Sequence, residues 1–288
     1  MKNGIKRVIK VISHPSYLSW FIQTRLLLVS KRWLGFSRKR TKAQQTRVIM
    51  FHLGRSGSTV LADLLNQHSD IFWDGEIAKP ILNINSEELN SRLDKFQELF
   101  SHGLSKSKGH QIYGCEIKPF HIEAMGLTFS EMISYFDEQG VTKYIVLERK
   151  NHLRKIVSSV AASATGTWHK PKGAENIVEK ITLPLDDVNI DGKRQSLLTF
   201  LSGYEENMKD LRGELSNHDV LDIYYEDDLL ESPSNAAIKC FDHFGIHTQT
   251  VNVRYGRTNP LSIKELVINY SDLERTLKGT TYEWMLNS

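Results

Sequence analysis

Only 2 of the 288 residues are cysteine and only 7 are proline. Two cysteines, Cys115 and Cys240, cannot lace a chain of this size into a disulfide framework, and no Cys/His spacing matches a zinc site. Both read as buried thiols in a reducing compartment. No apolar run reaches the length of a spanning helix, and there is no internal repeat or low-complexity tract. The first 47 residues contain no Asp or Glu, yet they hold 12 of the 37 Lys and Arg. The remainder carries 25 basic against 34 acidic residues, so a net charge of +3 conceals a +12 segment ahead of a −9 domain. Hydrophobic residues make up 40% of the chain, enough for a sizeable core and too many for a disordered class.

Residues 1–47 form a basic N-terminal extension. Its apolar stretch from Tyr17 to Val29 is interrupted by Gln23, Thr24 and Arg25, too short and too polar for a bilayer about 30 Å thick. It lacks the small-residue cleavage site of a secretory signal. Trp20, Phe21, Leu26, Leu27, Leu28, Trp33 and Phe36 interleave with the basic residues, which suits an amphipathic helix on an anionic membrane surface. A solvated basic arm against the domain suits the same residues. No nucleic-acid motif accompanies the charge, so nucleic acid is not an expected partner. Without an export signal the expected residence is the cytoplasm, peripheral on the inner face of the membrane if the extension docks there.

Residues 48–288 read as one α/β domain. Short apolar runs at 48–53 (VIMFHL), 112–117 (IYGCEI), 143–148 (KYIVLE) and 220–225 (VLDIYY) have the length of buried strands. Helical spacing follows three of them: Val60, Leu61, Leu64 and Leu65; Leu153, Ile156, Val157 and Val160; Ala237, Ile238, Phe241 and Phe244, ending at Gly245. Met132, Ile133 and Phe136 mark another helix before the 143 strand. Alternating strands and helices predict a central parallel sheet flanked by helices, a three-layer P-loop-like fold. Residues 166–195, with Gly166, Pro171, Gly173, Pro184 and Gly192, read as a loop-rich insert.

Two elements at strand ends carry the chemistry. Gly54-Arg55-Ser56-Gly57-Ser58-Thr59 lies between the first strand and its helix, where successive backbone N–H groups and a helix N-terminus make an anion site. Gly57 permits close approach, Ser58 and Thr59 add hydroxyls, and Arg55 adds a full charge at the lip. The loop lacks the Gly-Lys-Ser/Thr ending of an ordinary ATP or GTP loop; plain turn chemistry is the other reading. Arg149-Lys150-Asn151-His152-Leu153-Arg154-Lys155-Ile156-Val157-Ser158 follows the 143 strand and opens a helix. Two anion-binding elements at the carboxyl ends of strands suit a ligand with two separated phosphates. Lys150 and Lys155 read as the solvated start of a helix.

This pair of motifs resembles the two signatures of sulfotransferases that use 3′-phosphoadenosine 5′-phosphosulfate (PAPS). GRSGST is similar to their 5′-phosphosulfate loop, and R-K-N-x-x-R-K-I-V-S to their 3′-phosphate motif. Later segments resemble bacterial carbohydrate sulfotransferases of the trehalose and nodulation-factor type: Trp168-His169, Tyr225-Glu226-Asp227 with Phe241 to Gly245, Arg257-Thr258-Asn259-Pro260, Ile268-Asn269-Tyr270 and Gly279 to Tyr282. Asp227-Asp228-Leu229 is one residue longer than the family pattern. The resemblance covers about 48–288 and leaves the extension outside.

The resemblance implies transfer of a sulfuryl group from PAPS to a hydroxylated acceptor, a carbohydrate, glycolipid or similar molecule, with no metal. Arg55, Ser56, Gly57, Ser58 and Thr59 would hold the 5′-phosphosulfate, and Arg149 and Ser158 the 3′-phosphate. Arg257 would reach the phosphates from a later loop. Glu76 would be the catalytic base, and its place beside Trp73 and Ile77 predicts a pKa raised by desolvation. A surface Glu in a turn is the bland reading. His52 is the second choice as base and otherwise a core histidine; His121 and His169 are weaker candidates. Lys118, Trp168 and His169 are expected near the acceptor or the sulfuryl oxygens, although a solvated Lys before Pro119 fits as well. Trp73 reads equally as core or as an acceptor platform. A small-molecule kinase with an unusual phosphate loop and a non-catalytic, membrane-peripheral nucleotide-binding protein are the alternatives.

Overall fold

A computed structural model of the chain describes residue 22 and residues 45–85, 87–175 and 179–287. The basic extension therefore lies almost wholly outside the described residues, and with it the membrane-docking and solvated-arm readings. Among the described residues, no helix is long and apolar enough to cross a membrane.

The chain divides into two compact units. The sheet unit comprises residues 45–148 and 207–253 of the described chain, and the second unit residues 149–206 and 254–287. In the sheet unit, β1 (Thr46–His52), β2 (Ile71–Glu76), β3 (Ile112–Ile117), β4 (Lys143–Glu148) and β5 (Val220–Tyr224) form one parallel sheet in the order β2-β3-β1-β4-β5. Four of these are the strands expected from the apolar runs, each within two residues of its expected ends. β2 is additional. The α-helices among the described residues are α1 (Ser58–Leu65), α2 (Leu89–Lys106), α3 (Pro119–Ala124), α4 (Phe129–Glu138), α5 (His152–Thr165), α6 (Leu197–Glu214), α7 (Pro233–Phe244), α8 (Ile263–Leu266) and α9 (Tyr270–Leu277).

Both faces of the sheet are covered, which is why its strands read as apolar runs and not as alternating patterns. Val48 and Met50 of β1 join a buried cluster with Leu61, Leu64 and Leu65 of α1 and Ala237, Cys240 and Phe241 of α7. On the other face Phe51 meets Phe136 of α4 with ring centroids 6.3 Å apart, and Phe100 of α2 meets Tyr113 of β3 at 5.7 Å. Successive β1 side chains thus serve opposite layers, and the result is a three-layer α/β fold. Cys115 and Cys240 are fully buried thiols, and burial pushes both pKa values up.

The topology marks one end of this sheet. β1 and β4 are neighbours, yet the chain leaves β1 toward β2 and leaves β4 toward β5, in opposite directions across the sheet. The carboxyl ends of such a pair are the switch point at which open α/β sheets bind ligands.

Candidate anion-binding and catalytic site

The turn after β1 runs against the usual backbone preferences. Gly54 has φ 80°, Arg55 φ 55° and Gly57 φ 87°. A left-handed arginine costs energy that a glycine does not pay, so the conformation is imposed by the surroundings. Gly57 is the N-cap of α1, and no side chain caps that helix. A Cβ on Gly57 would lie 3.0 Å from Leu229 Cδ1 and 3.1 Å from Tyr225 Cδ2, so the π-helical turn Tyr225–Leu229 backs the loop closely. Ser56 is 1% exposed, and its Oγ has no hydrogen-bond partner among the described residues. Ser58 is buried as well, whereas Thr59 is half-buried. Burial lowers the Arg55 pKa to about 10, with Tyr225 opposing the shift, so its guanidinium stays charged at neutral pH.

A buried polar chain anchors this loop. The Gly54 N–H donates to His52 Nδ1 at 3.1 Å. An accepting Nδ1 puts the proton of the neutral ring on Nε2, which lies 3.1 Å from Glu116 Oε2. Trp73 Nε1 donates to the other oxygen of Glu116 at 3.0 Å. His52, Trp73 and Glu116 are all buried. His52 is therefore a core histidine, hydrogen-bonded through Nδ1 and with Nε2 close to the Glu116 carboxylate but in no hydrogen bond among the described residues, and Trp73 is core and not an acceptor platform.

Glu76 stands at the end of β2, so the bland reading of a surface Glu in a turn does not hold. It pairs in register with Glu116 of β3, across an irregularity between Trp73 and Glu76 where Gly75 takes φ 74°. Its Oε2 accepts a hydrogen bond from Lys118 Nζ at 2.8 Å. The expectation of a raised pKa is overturned here. Burial does raise the Glu76 carboxyl, but the Lys118 charge, His52, the Lys118 hydrogen bond and His121 together carry it down to about 2. Lys118 is correspondingly an ion-paired side chain, not a solvated one. Its Nζ and Cε also lie against the loop, 3.7 and 3.6 Å from where a Cβ of Gly54 would be.

His121 Nδ1 accepts from the Lys118 N–H at 3.3 Å, and the ring is fully buried. Burial, helped by the neighbouring Lys118, lowers its pKa to about 3 against the pull of Glu76, so it is neutral. His52, Glu76 and Glu116 each place one potential ligand atom within 4.8 Å of the others. The donors are already committed, His52 to Gly54, Glu116 to Trp73, and Glu76 to Lys118.

The second unit holds the rest of the expected residues. Asn151 caps α5, accepting the Arg154 N–H at 2.7 Å and donating to the Met285 carbonyl at 2.7 Å. Arg149 just before it is half-buried, and Ser158 within α5 is buried. Arg154 donates to the carbonyls of Asn259 and Leu261. Lys155 corrects the sequence reading: it is 1% exposed, with Nζ against Tyr204 of α6, 3.8 Å from the ring centroid, and 4.0 Å from Asp191. Lys150 is exposed as expected. In the insert, Lys170–Pro171 pairs with Tyr255–Gly256, and Val188–Ile190 forms a hairpin with Lys193–Gln195. Trp168 is exposed, His169 packs edge-on to Tyr255 at 6.2 Å, and Arg257 follows the paired segment as an exposed side chain.

Arg55, Ser56, Gly57, Ser58, Thr59, Glu76 and Lys118 thus gather in the sheet unit. Arg149, Ser158, Trp168, His169 and Arg257 belong to the second unit. Glu116 was missed, although a carboxylate inside the buried run IYGCEI needs partners and so signals a polar network. The chain matches no known family model, and no curated protein matches it.

Proposed function

We propose that this protein transfers a sulfuryl group from PAPS to a hydroxyl of a carbohydrate, glycolipid or similar acceptor. The observation that carries the reading is the left-handed loop from Gly54 to Gly57 with Arg55, Lys118 and Glu76 grouped around it. An uncapped helix start behind a glycine turn suits an anion, and the loop departs from the P-loop pattern where a kinase would carry its lysine.

In this reading the loop amides and Arg55 hold the 5′-phosphosulfate, Arg149 and Ser158 hold the 3′-phosphate, and Arg257 adds charge from its exposed loop. Lys118, Trp168 and His169 serve the acceptor side. Glu76 takes the proton of the acceptor hydroxyl as the new O–S bond forms. The S–O bond to the 5′-phosphate breaks in line, and its electron pair leaves with 3′,5′-bisphosphoadenosine. Arg55 and the loop stabilise the charge that develops on that leaving oxygen. No metal is assigned, because these cations meet the charge demand.

Incubation with labelled PAPS and a panel of sugars, glycolipids and other alcohols tests the activity. Label appearing in an acceptor supports it. Stabilisation by ATP with magnesium together with phosphate transfer would establish the kinase reading instead, and donor binding with no transfer to any acceptor would leave a non-catalytic nucleotide-binding protein.

The +12 extension supports a peripheral place on the cytoplasmic face of an anionic membrane, which favours a lipid-linked acceptor. Deleting residues 1–40 should abolish binding to anionic vesicles while leaving bisphosphate affinity unchanged. Loss of both would make the extension part of the fold.

A further inference from the structure

The geometry points to Lys118 as a shared ligand that leaves Glu76 for the anionic group held by the loop, so that donor binding itself frees the base. This deepens the sulfotransferase reading and rests on it.

The starting state disfavours catalysis. A carboxylate that accepts from an ammonium at 2.8 Å is a poor base, because the proton it must take competes with the lysine. Something has to remove that lysine before the acceptor hydroxyl can be deprotonated. The nearest alternative site for the ammonium is the loop: Lys118 Nζ already lies against Gly54, within a van der Waals contact of a Cβ built there. The four-carbon stem of lysine lets Nζ swing by a few ångströms at little cost, unlike the rigid fork of an arginine. Neither end is locked away, since the Lys118 and Glu76 side chains are 14% and 28% exposed.

The other charges around the pair favour the exchange. Glu116 lies beside Glu76 but faces Trp73 Nε1 and His52 Nε2, so Lys118 is the cation that pairs with Glu76. His121 faces the same space as a ring that burial keeps neutral, and the Nδ1 of His52 is taken up by the Gly54 N–H. Arg55 is on the loop itself. An arriving phosphosulfate brings full negative charge to the Gly54 side, and Lys118 then neutralises the incoming group in place of Glu76. The ammonium keeps its protons throughout, and the only proton transferred is that of the acceptor hydroxyl. Lys118 thus serves twice, restraining the base in the empty protein and binding the group to be transferred in the loaded one.

A double-mutant cycle on PAPS affinity, measured by calorimetry on the full chain, tests the exchange. Glu76→Gln should tighten PAPS by about 10-fold, because Lys118 is no longer held back, and Lys118→Met should weaken it by about 10-fold. In the Lys118→Met background, Glu76→Gln should change the affinity by less than 2-fold, roughly the limit of the coupling argument. Lys118→Arg keeps the cation and controls for folding, as do the melting temperatures of all variants. Equal tightening by Glu76→Gln in both backgrounds would mean simple removal of a negative charge, and no tightening in either would mean no competition; each overturns the exchange while leaving PAPS binding intact. Absence of PAPS binding to the unmodified protein would instead overturn the donor reading, and the exchange with it.

Discussion

The two motif-bearing helices begin in opposite ways. α1 starts at Gly57, with no side chain to cap it and with left-handed residues leading in. α5 starts at Asn151, whose side chain accepts the Arg154 N–H and also ties the helix start to Met285. A helix start that brings its own acceptor has little need of an external anion; one without it leaves first-turn amides to a ligand. Under the proposed function the loop after β1 would therefore bind its anion chiefly through the backbone. The motif after β4 offers its side chains, Arg149 and Ser158, while Arg154 and Lys155 are spent inside the second unit. The loop, with Arg55 alone, and the later motif, with Arg149, Lys150, Arg154 and Lys155, thus open their helices in different ways.

The largest expected effect breaks the chemistry without breaking the loop. Glu76→Gln should lower turnover by about 10²–10⁴-fold, the usual worth of a positioned base, with bisphosphate affinity undiminished. Unchanged turnover would remove Glu76 from the mechanism. Arg149→Ala should weaken 3′,5′-bisphosphoadenosine by about 10–100-fold but adenosine 5′-phosphate hardly at all, as calorimetry with the two nucleotides would show. Equal losses would put Arg149 on some other part of the ligand.

Substitutions at His52 sharpen the comparison from the loop side. Asn at 52 carries an oxygen near the place of Nδ1 and keeps the acceptor for the Gly54 N–H; Gln reaches toward Glu116 but loses that acceptor. Bisphosphate affinity should fall several-fold more in His52→Gln than in His52→Asn, a difference of about 1 kcal/mol for one hydrogen bond. The reverse order would show that Glu116, not Gly54, is the partner that matters. Asn151→Ala should cost about 1 kcal/mol of stability in denaturant unfolding, the typical worth of an N-cap. No comparable cap exists to be lost at Gly57.

A further effect is in pH. Glu76 is held near 2, below its ordinary 4.5, by Lys118, His52 and His121 acting against burial. The folded carboxylate therefore binds fewer protons than the unfolded one, and the stabilisation is complete above pH 4.5 and lost as pH falls toward 2. The melting temperature of the parent protein relative to Glu76→Gln should decline across that window in thermal scans. A constant difference would mean that Glu76 is not depressed.

These contrasts also explain what could be read from the residues. The buried strands β1, β3, β4 and β5 stand out because both faces are covered and the apolar runs are unbroken. β2 escaped notice because Trp73-Asp74-Gly75-Glu76 ends in polar residues and an irregular register, and so reads as a turn. The Gly-Ser loop was legible through local backbone chemistry. The state of Glu76 was not, because its pKa is set by Lys118, His52 and His121, which reach it only through the sheet. Lys155 misled for the same reason: helical position gives its neighbours on α5, while its burial comes from Tyr204 and Asp191, distant in sequence.

The most direct test of the account is thermal stabilisation by nucleotides. We predict that 3′,5′-bisphosphoadenosine raises the melting temperature in a concentration-dependent way, while ATP with magnesium leaves it unchanged. Stabilisation by ATP with magnesium and none by the bisphosphate would contradict the assignment.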